Sequence, residues 1–146
     1  MQIETRKFGW LAFTLEDVLV IPDGLLDYPA QRRWLLLGDA CHEALYWLQS
    51  LDEAELAIPV VDCRNAGVHG YDGVSAGSWA ELQDETDPPP VALVRLQVGS
   101  GQLDTRDDRP ILINPIRRVG RQVEGRPLQV SQAAPPEQLV PLRKAA

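Results

Sequence analysis

The sequence predicts a mainly β fold: a compact antiparallel β-barrel-like domain with one or two short helices. Two observations carry that expectation. Short apolar runs recur along the chain, each ended by Gly, Pro, Asp or Asn, which is the punctuation of strands and turns rather than of long helices. One unit, Leu45–Arg64, shows the pattern in full: an apolar run (Leu45, Tyr46, Trp47, Leu48) stops at Gln49 and Ser50, an acidic turn follows (Asp52, Glu53, Glu55), and a second apolar run extends from Leu56 to Val61. About seven or eight strands are expected from this spacing. A chain of 146 residues makes one domain and buries a core without staples.

In order, Gln2–Phe8 reads as a first strand closed by Gly9, and Trp10–Phe13 resumes an extended pattern. Thr14–Asp17 has the form of a capped turn. Val18–Ile21 is a short β-branched run that stops at Pro22. Pro22-Asp23-Gly24 is a turn, because Pro fixes φ, Asp bonds locally and Gly accepts positive φ. Arg33–Leu37 is the next run, ended by Gly38-Asp39, and the Leu45–Val61 unit follows.

Asn65–Gly77 reads as a glycine-rich loop. Ser78 and Glu81 match a capping box, and Trp79 and Leu82 share a face, so a short helix is expected there. Asp87-Pro88-Pro89-Pro90 ends it. Val91–Val98 is the clearest strand, with Val94, Leu96 and Val98 on one face and Arg95 and Gln97 on the other. Gly99-Ser100-Gly101 turns the chain, Pro110–Asn114 is a buried strand, and Arg117–Val123 returns as a hairpin arm. Periodicity ends at Gly125, and Pro127, Pro135, Pro136 and Pro141 follow. The expected organisation is therefore a single β-barrel domain over 1–124 and a Pro-rich, flexible tail over 125–146.

The formal net charge of −7 opposes nonspecific contact with nucleic acid or an anionic membrane surface and admits a basic protein partner. No run reaches the roughly 18 uncharged apolar residues of a membrane-spanning helix. The start, MQIETRKFGW, lacks the apolar core of a secretory signal. A cytoplasmic location is expected, with Cys41 and Cys63 as free thiols. Charge is unevenly spread: Asp39–Asp62 holds six acids and no Lys or Arg, whereas Arg109–Arg126 holds five Arg against Glu124. That asymmetry predicts one acidic and one basic region.

Reactive constellations are weak. Cys41, His42, Cys63 and His69 lack the close Cys pairs of structural zinc sites. Cys41 and His42 are adjacent, so on a strand they point to opposite faces. There is no Gly-x-Ser-x-Gly elbow, and Gly99-x-Gly101 precedes no helix that would hold a phosphate. The acids cluster where turns are expected and read as solvated. Arg117, Arg118, Arg121 and Arg126 form a basic stretch without the interleaved aromatics that stack single-stranded bases. No catalytic residue, metal or cofactor is expected. Trp10, Trp34, Trp47 and Trp79 are large anchors for a core or for a protein interface.

Four segments, in this order and spacing, resemble one family: IETRKFG, VLVIPDGLLDYPAQRRWLLLGD, LYWLQSLDEAELAIPVVD and PILINPIRRVGRQV. Together they are similar to the flagellar assembly factor FliW, over residues 2 to about 124. The resemblance implies a barrel-like fold with no catalysis. It implies a cytoplasmic factor that binds newly made flagellin and also binds CsrA, a small basic RNA-binding repressor, so that flagellin translation follows assembly. The partners are then proteins, with no direct nucleic-acid or membrane contact and a monomer when free.

Contact with partners is expected at the corner (Gln49, Ser50, Asp52, Glu53, Glu55) and at the loop containing Asp23, Leu25 and Leu26. The acids would meet basic side chains and a leucine would anchor a groove. The chain departs from the family pattern at Asp104–Arg109, at Cys63-Arg64 and in its Pro-rich end. The alternatives are a FliW-like binder with other clients, a small ligand-binding or enzymatic barrel, and a direct RNA binder.

Overall fold

The computed structural model describes residues 1–72, 86–88, 90–99 and 102–129. Among these there are eleven strands: β1 (Gln2–Thr5), β2 (Gly9–Ala12), β3 (Val18–Val20), β4 (Arg33–Gly38), β5 (Leu45–Ser50), β6 (Ala57–Asp62), β7 (Val68–Asp72), β8 (Val91–Gly99), β9 (Gln102–Asn114), β10 (Val119–Gln122) and β11 (Arg126–Gln129). Seven close a barrel in the order β10-β3-β4-β5-β6-β8-β9, while β1–β2 and β7–β11 form separate two-stranded sheets. The barrel pairs are antiparallel apart from the parallel contact that closes it, Val20 beside Val119. There the Val20 N–H donates to the Arg118 carbonyl at 2.9 Å. Closure removes the exposed edges that an open sheet of this size would carry.

Strand alternation builds the core. Tyr46 lies opposite Val60 and Leu48 opposite Ile58; Ile111 lies opposite Leu93 and Ile113 opposite Val91. These pairs converge with Leu19, Ile21 and Trp34 on the barrel interior. Burial of each such aliphatic side chain stabilises the fold by about 1.5–3 kcal/mol. The Trp34 ring satisfies its one polar atom by donating from Nε1 to the Gln31 carbonyl at 3.2 Å. A second cluster, Val61, Cys63, Val68 and Val94, packs on the other side of β6 and β8. Both faces of β8 are therefore covered: Leu93 faces the barrel core while Val94 and Leu96 face the second cluster.

Pro59 sits inside β6, where a missing N–H normally breaks a ladder. Ser50 donates to Leu56, so by alternation the Trp47–Pro59 pair is a non-bonded one and the Pro59 nitrogen faces away from β5. Pairing with β8 begins one residue later, at Val60, so no bond is lost.

Several expectations change. The first strand ends at Thr5, because the Thr5 hydroxyl accepts the Phe8 N–H at 3.0 Å and donates to the Gly9 carbonyl at 2.8 Å. Gly9, at φ 69°, opens β2 instead of closing β1. The Asn65–Gly77 loop is partly structured. A 3-10 turn at Cys63–Ala66 is capped by Asp62 and ends at Gly67 in the left-handed region, and β7 follows. Regular structure does not stop at Gly125, since β11 pairs with β7 from Arg126–Asp72 to Gln129–Val68. The expected helix at Ser78–Glu81, the tip of the Gly99–Gly101 turn and the rest of the tail lie outside the described residues.

Candidate functional site

The corner between β5 and β6 and the loop between β3 and β4 lie at one end of the barrel. Arg32 joins them: its carbonyl accepts the Ile21 N–H at 2.7 Å and its N–H donates to Asp52 Oδ2 at 2.7 Å. The corner is built by the residues that precede it. Gln49 Nε2 donates to the Ser50 carbonyl at 2.9 Å and to the Ala54 carbonyl at 3.2 Å. Ser50 Oγ accepts the N–H groups of Asp52 and Glu53 at 3.1 and 2.9 Å. Free backbone groups in so tight a bend demand partners, and these two side chains supply them. Gln49 and Ser50 are accordingly 0% exposed. Their expected place on a docking surface is corrected: they hold the corner from within.

Asp52 is also spent on the fold. It accepts the Arg32 and Arg33 N–H groups and pairs with the Arg33 guanidinium at 2.9 Å. Burial pushes its carboxyl up, but the N–H donors of Arg33 and Arg32 and the Arg33 side chain outweigh this and hold it below the usual range. Glu53 and Glu55 are exposed and meet no cation among the described residues. They alone keep the solvated negative charge expected of this corner.

In the loop, Gly24 takes φ 68° and donates to the Ile21 carbonyl at 2.9 Å, which closes the Pro22-Asp23-Gly24 turn. Leu25 folds inward at 4% exposure, whereas Leu26 stands out at 54%. Of the two leucines, only Leu26 is therefore open to contact. Asp23 is exposed and pairs with Arg121 at 3.1 Å. Asp27 pairs likewise with Arg95 at 2.6 Å. The basic segment of the sequence does not become a basic region in space, because Arg109 meets Glu124, Arg117 meets Asp87 and Arg121 meets Asp23.

Sequence reasoning missed a surface cluster around Trp47. Phe8 meets its ring edge-on at 6.2 Å, and the Lys7 ammonium sits 3.9 Å from its centroid. Asp39 accepts Trp47 Nε1 at 3.0 Å together with the N–H groups of Cys41 and His42. The Trp47 bond first, then the Cys41 N–H, drive the Asp39 carboxyl far below its ordinary value. The signal was an apolar ring on the outward face of β5, opposite Pro59.

Asp39 and Asp52 are thus permanent anions near neutrality, unsuited to donate a proton. Among the described residues no group of three or more His, Cys, Asp or Glu is placed to hold a metal ion, and no helix is long and apolar enough to cross a membrane. A cleft between β2 and β4 measures about 190 Å³, below the roughly 300–1,000 Å³ of small-molecule sites. The barrel end offers two free carboxylates and a projecting leucine; the shallow apolar cleft between β2 and β4 lies apart from them.

The family model for the FliW protein matches residues 2–131. A flagellar assembly factor FliW of Magnetococcus marinus is 27% identical over 127 residues, covering 84% of this chain and 78% of that protein. One of Lachnoclostridium phytofermentans is 28% identical over 129 residues, covering 84% and 82% respectively. The crystal structure of a flagellar assembly factor FliW superimposes with a TM-score of 0.72 over 91% of this chain and 100% of that one, at 18% identity, which shows a shared fold.

Proposed function

The chain belongs to the FliW family of flagellar assembly factors, and from that premise we propose that it is a cytoplasmic binding protein, not an enzyme, whose partners are flagellin and the repressor CsrA. In this reading it holds one partner at a time. Flagellin and the repressor compete for it, so each displaces the other, and flagellin translation follows assembly. The observation that carries the reading is family membership across nearly the whole described chain.

The barrel end described above supports a docking role for part of the expected set. Glu53 and Glu55 present negative charge to a basic partner, and Leu26, in the β3–β4 loop at the same end of the barrel, provides an exposed apolar contact. Complementary potential of this kind speeds encounter and fixes orientation. Asp23 contributes less, since Arg121 already neutralises it.

Capture assays with purified flagellin and purified repressor test the reading. The intact protein is expected to retain each, and each is expected to compete with the other. The E53K/E55K variant is expected to lose the basic repressor while keeping its fold. Failure to retain either partner would overturn the function; undiminished capture by E53K/E55K would remove only the assigned surface.

A further inference from the structure

Among the described residues, one side of the β1–β2 hairpin pairs with no further strand. Met1 and Phe13 exchange both backbone bonds, at 3.0 and 2.9 Å. Alternation then makes Ile3–Leu11 and Thr5–Gly9 the bonded pairs and turns the N–H and C=O groups of Trp10 and Ala12 away from β1. Among the described residues no backbone group takes them. This edge, Gly9-Trp10-Leu11-Ala12, holds no charge and no proline, the devices that usually blunt a free strand. Trp10 projects from it at 66% exposure.

The cleft of about 190 Å³ runs beside that edge, between Leu11 and Phe13 on one side and Leu35 and Leu37 on the other, with Asp17 and Arg118 also lining it. Arg118 is held at φ 56°, where a non-glycine residue is strained. Its Nη2 donates to the Asp17 carbonyl at 2.8 Å, and it faces no carboxylate among the described residues. The Asp17 side chain is turned back onto the Thr14 N–H and hydroxyl, at 2.8 and 3.3 Å. The neighbouring arginines, Arg109, Arg117 and Arg121, all have acid partners.

We propose that this edge and cleft take an extended segment of a protein partner, which adds to β2 as a further strand, rests an apolar side chain against Phe13 and Leu37, and places a carboxylate on Arg118. Main-chain bonds to Trp10 and Ala12 supply affinity, and the cleft selects the side chain. A guanidinium without an acid partner selects an anion by charge-assisted hydrogen bonds. The proposal rests on the protein-binding reading and names a second surface, separate from Glu53 and Glu55.

Titration of the isotopically labelled full chain with short Val/Thr-alternating peptides tests it. One peptide carries a terminal Asp and an amidated end, one has a free C-terminal carboxylate and no Asp, and one is neutral. The acid-bearing peptides are expected to shift the amide signals of Trp10, Ala12 and Leu35–Gly38, with the neutral peptide about tenfold weaker. The Asp and free-end arms tell a side-chain acid from a chain terminus. A12P removes an outward N–H without touching the β1 ladder and is expected to abolish the shifts.

R118G removes the guanidinium at a position whose φ suits glycine, so it is expected to weaken the acid-bearing peptides about tenfold while the fold is kept. Absence of shifts, shifts that survive both variants, or a dimer of the parent chain that A12P splits would each overturn the site, the last by giving the edge to a second copy. Retained capture of flagellin and repressor alongside any of these results leaves the functional reading standing, so the two failures are told apart.

Discussion

Asp52 and Arg33 meet three times: Oδ2 accepts the Arg33 backbone N–H at 3.0 Å, while Oδ1 accepts Nε at 3.0 Å and Nη2 at 2.9 Å. With the Arg32 N–H also on Oδ2, at 2.7 Å, this one carboxylate ties the β5–β6 corner to the start of β4. An acid so engaged is an anchor of the fold, and substituting it together with Glu53 and Glu55 confounds docking with unfolding. D52A is expected to lose about 1–3 kcal/mol, since two backbone donors lose a charged acceptor. E53K/E55K is expected to stay within about 0.5 kcal/mol of the parent. Denaturant titration separates the two; equal stabilities would refute the anchoring role.

Acid is expected to lower the stability of this protein through two groups, Asp39 and Asp52. Asp39 lies far below the ordinary carboxylate value because of the Trp47 Nε1 bond and the Cys41 and His42 donors. Asp52 lies below it because its backbone and guanidinium donors outweigh its burial. A folded-state value below that of the unfolded chain, near ~4, means that each group stabilises the fold above that pH and loses its contribution as pH falls through the folded-state value. Thermal midpoints are expected to be flat from about pH 5 to 7 and to drop below about pH 4. D39N/D52N should show a lower plateau and a shallower drop, and a midpoint that rises on acidification would contradict the assignment.

The local part of this fold was legible. Pro22-Asp23-Gly24 is read as a turn because each residue supplies its own piece of the geometry, and the Gly24 φ of 68° follows. The runs at Arg33, Leu45 and Pro110 are strands because their apolar periodicity needs no distant information. What escaped was non-local. β7 and β11 are each weak as sequence and exist through pairing with the other across more than fifty positions. The expected basic region vanished for the same reason, as Arg121 finds Asp23 and Arg117 finds Asp87 only once the barrel closes.

In the candidate site, Glu53, Glu55 and Leu26 are exposed as expected. Gln49 and Ser50 were misplaced because polar residues at the end of a strand read as surface, whereas a tight corner consumes polar side chains to satisfy its own backbone.

The two cysteines should react differently. Cys63 is buried in the second cluster, and burial first, with the Asp62 charge adding to it, pushes its thiol up to about 11. Cys41 is exposed. Because the thiolate is the reacting species, alkylation of the native protein at about pH 8 is expected to label Cys41 and spare Cys63. Peptide mapping by mass spectrometry reads the result, and denaturation before labelling should expose both. Comparable labelling of both residues in the folded state would place Cys63 outside the second cluster.

Gly24 and Gly9 share nearly the same backbone, φ 68° and 69°, in different surroundings. A Cβ on Gly24 would lie 2.5 Å from the Pro29 carbonyl oxygen and 2.7 Å from its Cα, so backbone rather than a flexible side chain would have to shift. A Cβ on Gly9 would meet nothing within 4 Å. Gly9→Ala therefore carries the left-handed strain alone, about 1–2 kcal/mol. Gly24→Ala adds an overpacking cost of about 1–3 kcal/mol to the same strain. It should also disturb the inward fold of Leu25 and release Leu26 from the Gln122 Oε1 bond, now 2.7 Å long. Denaturant titration of both variants is expected to show the larger loss at Gly24, and capture of partners should weaken for Gly24→Ala beyond what its stability explains. Equal losses at the two positions would mean that the loop yields around Pro29 and that its shape is not set by this approach.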